Sequence, residues 1–216
     1  MRVQTEKENW DDFWSANTKS RFTQKSWSKI RIMNLLDQVL SPGMAVLDAG
    51  CGSGFFSGFF ISRDCEVYTL DYSDSALEVA REKTQNKSKA YLKENLLEPD
   101  FGNRFAGKFD IIFTDGLFEH FTREDQNKIL DNFKKVKKPD GLITTFVPNK
   151  YSWWEIIRPL VMPGIHEEPF TLNQLKELHR GLKIKIEGGI NVLPIGLSPD
   201  KMLGARLGMI LYVFAK

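Results

Sequence analysis

Val46-Leu-Asp-Ala-Gly-Cys-Gly-Ser-Gly54 decides the fold. An apolar run, Met44-Ala-Val-Leu-Asp48, leads into glycines at 50, 52 and 54, and an apolar stretch from Phe55 to Ile61 follows. This order predicts a strand, a tight turn and a helix. Glycine lacks a Cβ, so the backbone can turn sharply there and lie close to a ligand. The helix beyond begins with free N–H groups. The next apolar run, Glu66-Val-Tyr-Thr-Leu-Asp71, ends in an acid 23 residues after Asp48. In a doubly wound sheet that strand end lies beside the glycine turn, where a carboxylate can accept hydrogen bonds from two ribose hydroxyls.

An adenosine-containing ligand is thus expected, and the spacing separates two of them. The dinucleotide fingerprint G-x-G-x-x-G would put its third glycine at 55, where Phe stands; the glycine is at 54. Asp48 is unhelpful beside a pyrophosphate but suits a cation. Both features point away from NAD and toward a sulfonium with an amino-acid tail, S-adenosylmethionine.

Working outward, strands are predicted at 90–94, 109–114, 141–147 (closed by Pro148), within 182–192 and at 209–214. Helices are predicted at 26–40, at 75–84 (capped by Asp74), at 123–137 and at 170–180 (opened by Thr171). Such alternation implies an α/β fold: a Rossmann-like, seven-stranded, mostly parallel sheet flanked by helices. We expect a single domain over 1–216. An N-terminal helical cap covers 1–40, with a helix and a mobile connection carrying Trp10, Phe13, Trp14 and Phe22. A cofactor-binding core follows at 41–150, a substrate-lid insertion at 151–169, and the C-terminal part of the sheet at 170–216. The lid is aromatic, apolar and broken by two prolines.

Composition bounds the function. Thirty Lys+Arg against 28 Asp+Glu argue against a dedicated nucleic-acid binder. Two cysteines are too few for a disulfide framework. No stretch approaches the roughly 18 apolar residues of a membrane span, and Met1–Trp10 lacks an apolar signal core. A cytoplasmic monomer or homodimer is expected.

The 46–54 stretch resembles the first motif of class I S-adenosylmethionine-dependent methyltransferases. Leu70-Asp-Tyr-Ser73 is similar to their second-strand acidic motif. Phe109-Asp-Ile-Ile-Phe with Leu117-Phe-Glu-His120 is similar to the fourth-strand region, and Gly141-Leu-Ile with Val147-Pro148 to the fifth. The likeness covers about 44–148. It implies an antiparallel last strand and a methyl transfer to a small-molecule acceptor. Asp48, Ala49, Gly50, Cys51, Gly52 and Gly54 would surround the methionine part and ribose. Asp71 would hold the ribose hydroxyls and Tyr72 would lie along the adenine. Glu94 or Asn95, with Leu96, would meet the adenine edge. Asp115, Gly116 and Leu117 would approach the methyl group.

Other residues are candidates for the acceptor side. His120 is a possible base for a hydroxyl or amine, with Glu119 beside it, or the pair only shapes a loop. Phe118-Glu-His-Phe121 also matches a bicarbonate-holding stretch of cyclopropane-fatty-acid synthases, which are longer chains. Trp153, Trp154, Ile156, Ile157 and Val161 read as an apolar lid or as cap packing, with Arg158 available for a substrate anion. Trp10, Phe13 and Trp14 form a second lid or pack a surface helix on the sheet edge. His166-Glu-Glu168 has one His and reads as a solvated loop, so no metal site is expected. Cys51 reads as a filler, and Lys134–Lys138 as a solvated helix end. The rival readings are a protein or RNA methyltransferase, and a non-catalytic cofactor-binding module. The amino-methylating Asn/Asp-Pro-Pro-Tyr signature is missing, since Thr114-Asp-Gly-Leu117 stands after the fourth strand.

Overall fold

The computed structural model of the chain describes residues 7–17, 24–161 and 167–216. Phe22, His166 and lid positions 162–165 lie outside them.

Seven strands form one sheet: β1 (Ala45–Ala49), β2 (Glu66–Asp71), β3 (Ala90–Lys93), β4 (Phe109–Asp115), β5 (Lys137–Pro148), β6 (Ile184–Ile190) and β7 (Ile210–Ala215). Their order is β3-β2-β1-β4-β5-β7-β6. The first five pair in parallel, and β7 lies antiparallel between β5 and β6. The chain order reverses between β1 and β4, so their carboxyl ends flank the crevice where open α/β sheets bind ligands.

Strand periodicity builds a core on each face. Leu47, Phe109, Ile112 and Ile143 point one way, into a cluster with Phe101, Ile129 and Phe133. These last come from α5 (Pro99–Arg104) and α6 (Arg123–Val136). Val46, Val67, Ile111 and Phe113 point the other way, against Ile32 and Leu36 of α2 (Trp27–Leu36) and Phe56, Phe59 and Phe60 of α3 (Phe55–Ile61).

Local chemistry sets the helix ends. Ser26 caps α2 by accepting from the Lys29 N–H. Ser73, rather than the expected Asp74, caps α4 (Asp74–Lys83), because its hydroxyl accepts from the Ala76 N–H. Thr171 and Gln174 form a reciprocal capping box on α8 (Leu172–Leu178).

Four elements depart from the sequence reading. The helix expected to reach 40 stops at Leu36, and β5 starts at Lys137 rather than 141. Helix α5 is too short to show a period. Helix α9 (Asp200–Leu207) shows no core-facing stripe, since Met202, Leu203 and Leu207 are exposed. It packs through backbone instead: a Cβ on Gly204 would lie 1.9 Å from the Gly189 carbonyl oxygen of β6. The lid contains α7 (Trp154–Val161), whose Ile156 and Leu160 are 79% and 86% exposed. Ile156 thus faces outward rather than lining a lid. Among the described residues, no helix is long and apolar enough to cross a membrane.

Candidate active site

The glycine turn is tied to β2 before any ligand is considered. The N–H groups of Gly50 and Cys51 both donate to the Leu70 carbonyl at 2.9 Å. The Gly52 N–H donates to Asp71 Oδ2 at 3.0 Å, and Ser73 N–H donates to Asp71 Oδ1 at 3.0 Å. Asp48 lies beneath the turn, buried, and accepts from the Ser57 hydroxyl at 2.5 Å. Ser57 in turn accepts from Thr69 at 2.9 Å. Burial pushes the Asp48 carboxyl up to about 7, against the opposing Ser57 hydrogen bond. Burial also raises Asp71, while its backbone donors pull the other way. The Cys51 thiol is pushed well up by burial and then by Asp71 and Asp48, as expected of a filler rather than a nucleophile.

A cavity of 670 Å³ opens over this turn. Asp48, Gly50, Cys51, Gly52, Asp71, Tyr72, Glu94, Asn95, Leu96, Asp115, Gly116 and Leu117 all line it. Two expected residues do not. Ala49 points into the core, and Gly54 faces α4, where a Cβ would lie 2.7 Å from the Ala80 Cα. Gly54 therefore serves the packing of α3 on α4. Glu94 is paired with Arg104 at 2.5 Å, and Asn95 accepts from the Leu97 N–H at 3.0 Å. Both keep a face on the cavity.

The roof comes from the N-terminus. Trp10, Phe13 and Trp14 of α1 (Lys7–Asn17) line the cavity, with successive rings edge to face. The Asp11 carboxylate accepts from the Ser73 hydroxyl at 2.6 Å, and Ser15 and Ser75 hydroxyls meet at 3.1 Å, holding α1 on α4. Lys29 of α2, which the sequence reading passed over, also lines the cavity. Burial lowers its ammonium to about 8, with Asp115 opposing. Burial raises Asp115 itself to about 6. Nothing in the sequence but a cation near a helix start marks Lys29.

The acceptor end is built around Glu119 and His120, which sit on a single 3-10 turn, Phe118–His120, after β4. The Gln126 amide of α6 pins that turn by donating to the Phe118 and Phe121 carbonyls at 2.8 and 2.9 Å. The segment after the lid is tied there too: the Glu168 N–H donates to the Glu119 carbonyl at 2.8 Å. Glu167 therefore comes in beside Glu119, and both carboxyls line the cavity, 8% and 2% exposed. This corrects the reading of 167 as solvated. The Trp10 and His120 rings meet in a T-shaped arrangement, centroids 4.8 Å apart.

Two lid candidates are elsewhere. Trp153 donates its indole N–H to the Val192 carbonyl at 3.1 Å and does not line the cavity; Trp154 does. Arg158 lies between Glu155 and Glu167, at 3.5 and 3.4 Å, so its charge is directed at protein carboxyls rather than a substrate anion. Burial raises Glu119 well above the ordinary range, reinforced by Glu167, and raises Glu167 to about 7. Glu119, His120 and Glu167 each place an atom of metal-ligating type within 4.8 Å of the others.

The site suits an adenosyl sulfonium. The cavity volume falls within the usual range for small ligands. Asp71 stands at the β2 end with backbone donors fixing it, and acids outnumber bases around the turn.

A family model described as a methyltransferase domain matches residues 40–180. The ubiquinone biosynthesis O-methyltransferase of Erwinia tasmaniensis is 30% identical over 137 residues, 58% of this chain and 54% of that protein. The chain thus spans about half the length of that relative. A SAM-dependent methyltransferase structure from Anabaena variabilis aligns with a TM-score of 0.73 at 18% identity, covering 99% of this chain and 97% of that one. The N-methyltransferase NodS of Bradyrhizobium japonicum, solved with S-adenosyl-L-homocysteine, aligns at 0.67 and 14% identity, over 96% and 97%. At those identities the structures share the fold. With the family model covering residues 40–180, and so the whole cofactor-binding core, the chain belongs to the class I S-adenosylmethionine-dependent methyltransferases.

Proposed function

We propose that the protein transfers a methyl group from S-adenosylmethionine to an O, N or C nucleophile of a small, partly apolar acceptor. The carrying observation is one continuous cavity that runs from Asp71 and the glycine turn to Glu119, His120 and Trp154. When bound, the donor supplies a methyl group on a positively charged sulfur that leaves as a neutral thioether. The chain's own residues do the rest. Asp71 and Tyr72 hold the adenosine end, and Lys29 faces the end that carries the donor's carboxylate. Asp115, Gly116 and Leu117 wall the reacting centre. Trp10, Phe13 and Trp14 exclude water, and alignment in a dry site supplies much of the rate. His120, beside Glu119 at the acceptor end of the cavity, is available to pass a proton on.

The roof of α1 supports a small acceptor over an RNA or protein, which needs an open approach. The free thiols of Cys51 and Cys65 fit a reducing, cytoplasmic setting. Calorimetry with S-adenosylmethionine, S-adenosylhomocysteine and NAD should show binding of the first two and not the third. A labelled-methyl assay over small phenols, amines and acids should then show transfer. Tight NAD binding, or donor binding without transfer to any acceptor, would sink the proposal; the second outcome would favour a regulatory module.

A further inference from the structure

We infer that the acceptor is an amine, held as its ammonium between the carboxyls of Glu119 and Glu167 and methylated on that nitrogen. This rests on the methyl-transfer reading above and narrows its acceptor to one class.

The inference starts from unmet hydrogen-bonding capacity. Glu119 Oε2 and Glu155 Oε1 are buried and accept no hydrogen bond, while Glu167 Oε2 has Arg158 Nε 3.4 Å away, beyond a well-formed hydrogen bond. Buried carboxylate oxygens without donors are costly, so a ligand that brings donors and positive charge is favoured there. The charges agree. Asp115, Glu119, Glu155 and Glu167 outnumber Lys29, Arg158 and His120, and burial raises all four acids above their ordinary range, a cost that a bound cation relieves. Lys29 is set toward Asp115, and Arg158 toward Glu155 and Glu167. Among the described residues no Lys or Arg forms an ion pair with Glu119, and the cation-capable group clustered with it is His120.

Position ties this carboxyl to the reacting centre. A Cβ on Gly116 would lie 3.4 Å from Glu119 Oε1, so Glu119 adjoins the strand end that faces the methyl group.

The spacing of the cluster accommodates an ammonium. The Glu119, His120 and Glu167 atoms spread over as much as 4.8 Å. A small divalent ion with ligand oxygens about 2.1 Å away would need the group to contract, whereas a calcium-sized ion at about 2.3–2.6 Å would not. A nitrogen donating two hydrogen bonds of about 2.8 Å spans roughly 4.6 Å, which falls within that spread. The walls point the same way. Trp10 meets His120 at 4.8 Å and Trp154 lines the same cavity, and indole rings attract organic cations.

The step balances. The ammonium gives one proton to the Glu119/Glu167 carboxyl pair, breaking N–H and forming O–H. The freed nitrogen lone pair bonds the methyl carbon as the C–S bond breaks, its electron pair staying on sulfur. The product is the methylated ammonium, and the carboxyl proton passes to solvent, with His120 beside it.

The test uses the whole protein saturated with S-adenosylhomocysteine. Benzylamine, phenethylamine and tryptamine are titrated calorimetrically against their hydroxyl counterparts, benzyl alcohol, 2-phenylethanol and tryptophol. The expected result is a preference for each amine of about 100-fold over its alcohol. Glu119→Gln should remove that preference and leave the affinity for S-adenosylhomocysteine unchanged, which also reports correct folding. Labelled methyl should appear on the amines in the wild type.

Equal binding of amine and alcohol, or binding of neither, overturns the inference. So does Mn²⁺ binding that depends on Glu119 and is needed for transfer to an alcohol or phenol. If Glu119 served the sulfonium instead, Glu119→Gln would weaken S-adenosylmethionine binding alone, which also overturns it. Failure of the methyl-transfer reading is seen separately, as no binding of S-adenosylhomocysteine at all.

Discussion

A Cβ on Gly52 would lie 2.4 Å from Cζ2 of Trp14, so the roof of the cavity rests directly on the glycine turn. Gly52 also has φ +48°, a conformation that side chains disfavour by about 1–2 kcal/mol. Gly52→Ala should therefore displace α1 and weaken S-adenosylmethionine at least about tenfold, with a stability loss of about 1–2 kcal/mol. Trp14→Ala removes the clash but not the strain, so the double variant should lose less than the sum of the singles. Calorimetry and urea unfolding check this; wild-type affinity in Gly52→Ala would refute it.

Asp71 takes one backbone N–H on each carboxylate oxygen. Asparagine offers one acceptor oxygen and turns an N–H toward an N–H. Asp71→Asn should thus weaken the cofactor by about 2–3 kcal/mol, roughly 100-fold, through a disordered turn and a lost ribose acceptor. Glu94→Gln should cost far less, since Glu94 also answers to Arg104. Comparable losses for the two variants would contradict the assignment.

Lys29 carries its charge below about 8 and loses it above. If it faces the donor's carboxylate, S-adenosylhomocysteine should bind more weakly as pH rises past that value, and Lys29→Met should flatten the profile. A ligand without the amino-acid tail, 5′-methylthioadenosine, should bind both proteins alike. A profile unchanged by the substitution would place the carboxylate elsewhere.

His179 is buried beneath β5. Its Nδ1–H donates to the Leu175 carbonyl at 2.9 Å, which leaves Nε2 to accept from the Thr145 hydroxyl at 3.0 Å. Burial lowers it from 6.5 to about 4. Between those values the unfolded chain binds the proton and the folded one does not, so this group's stability contribution falls as pH drops from 6.5 toward 4. The loss amounts to about 3 kcal/mol. The raised acids Asp48 and Asp115 act with the opposite sign, so the variant isolates the effect. The stability difference between wild type and His179→Gln should shrink on acidification; a constant difference would be evidence against it.

What the sequence made legible was whatever is periodic or local. Strands β1, β2, β4 and β7, the turn at 50–54, and Asp71 at its strand end are set by neighbours along the chain. Glu167 was misread because its burial depends on a hydrogen bond between Glu168 and Glu119, 49 residues apart. Trp153 and Arg158 were misassigned for a related reason. Composition marks α7 as a lid, but which of its faces meets the cavity is set by Val192, Glu155 and Glu167. Helix α9 carried no signal at all, since its packing surface is glycine.

That glycine contact has a consequence for variation. Neither Gly189 nor Gly204 lines the cavity, yet each leaves no room for even a methyl group on the other's backbone. A saturation scan read only by growth or yield should score both as intolerant as Gly52. Such a scan would show two islands of constraint, one around the chemistry and one at a seam in the scaffold. Affinity for S-adenosylhomocysteine in the surviving alanine variants would tell the two apart.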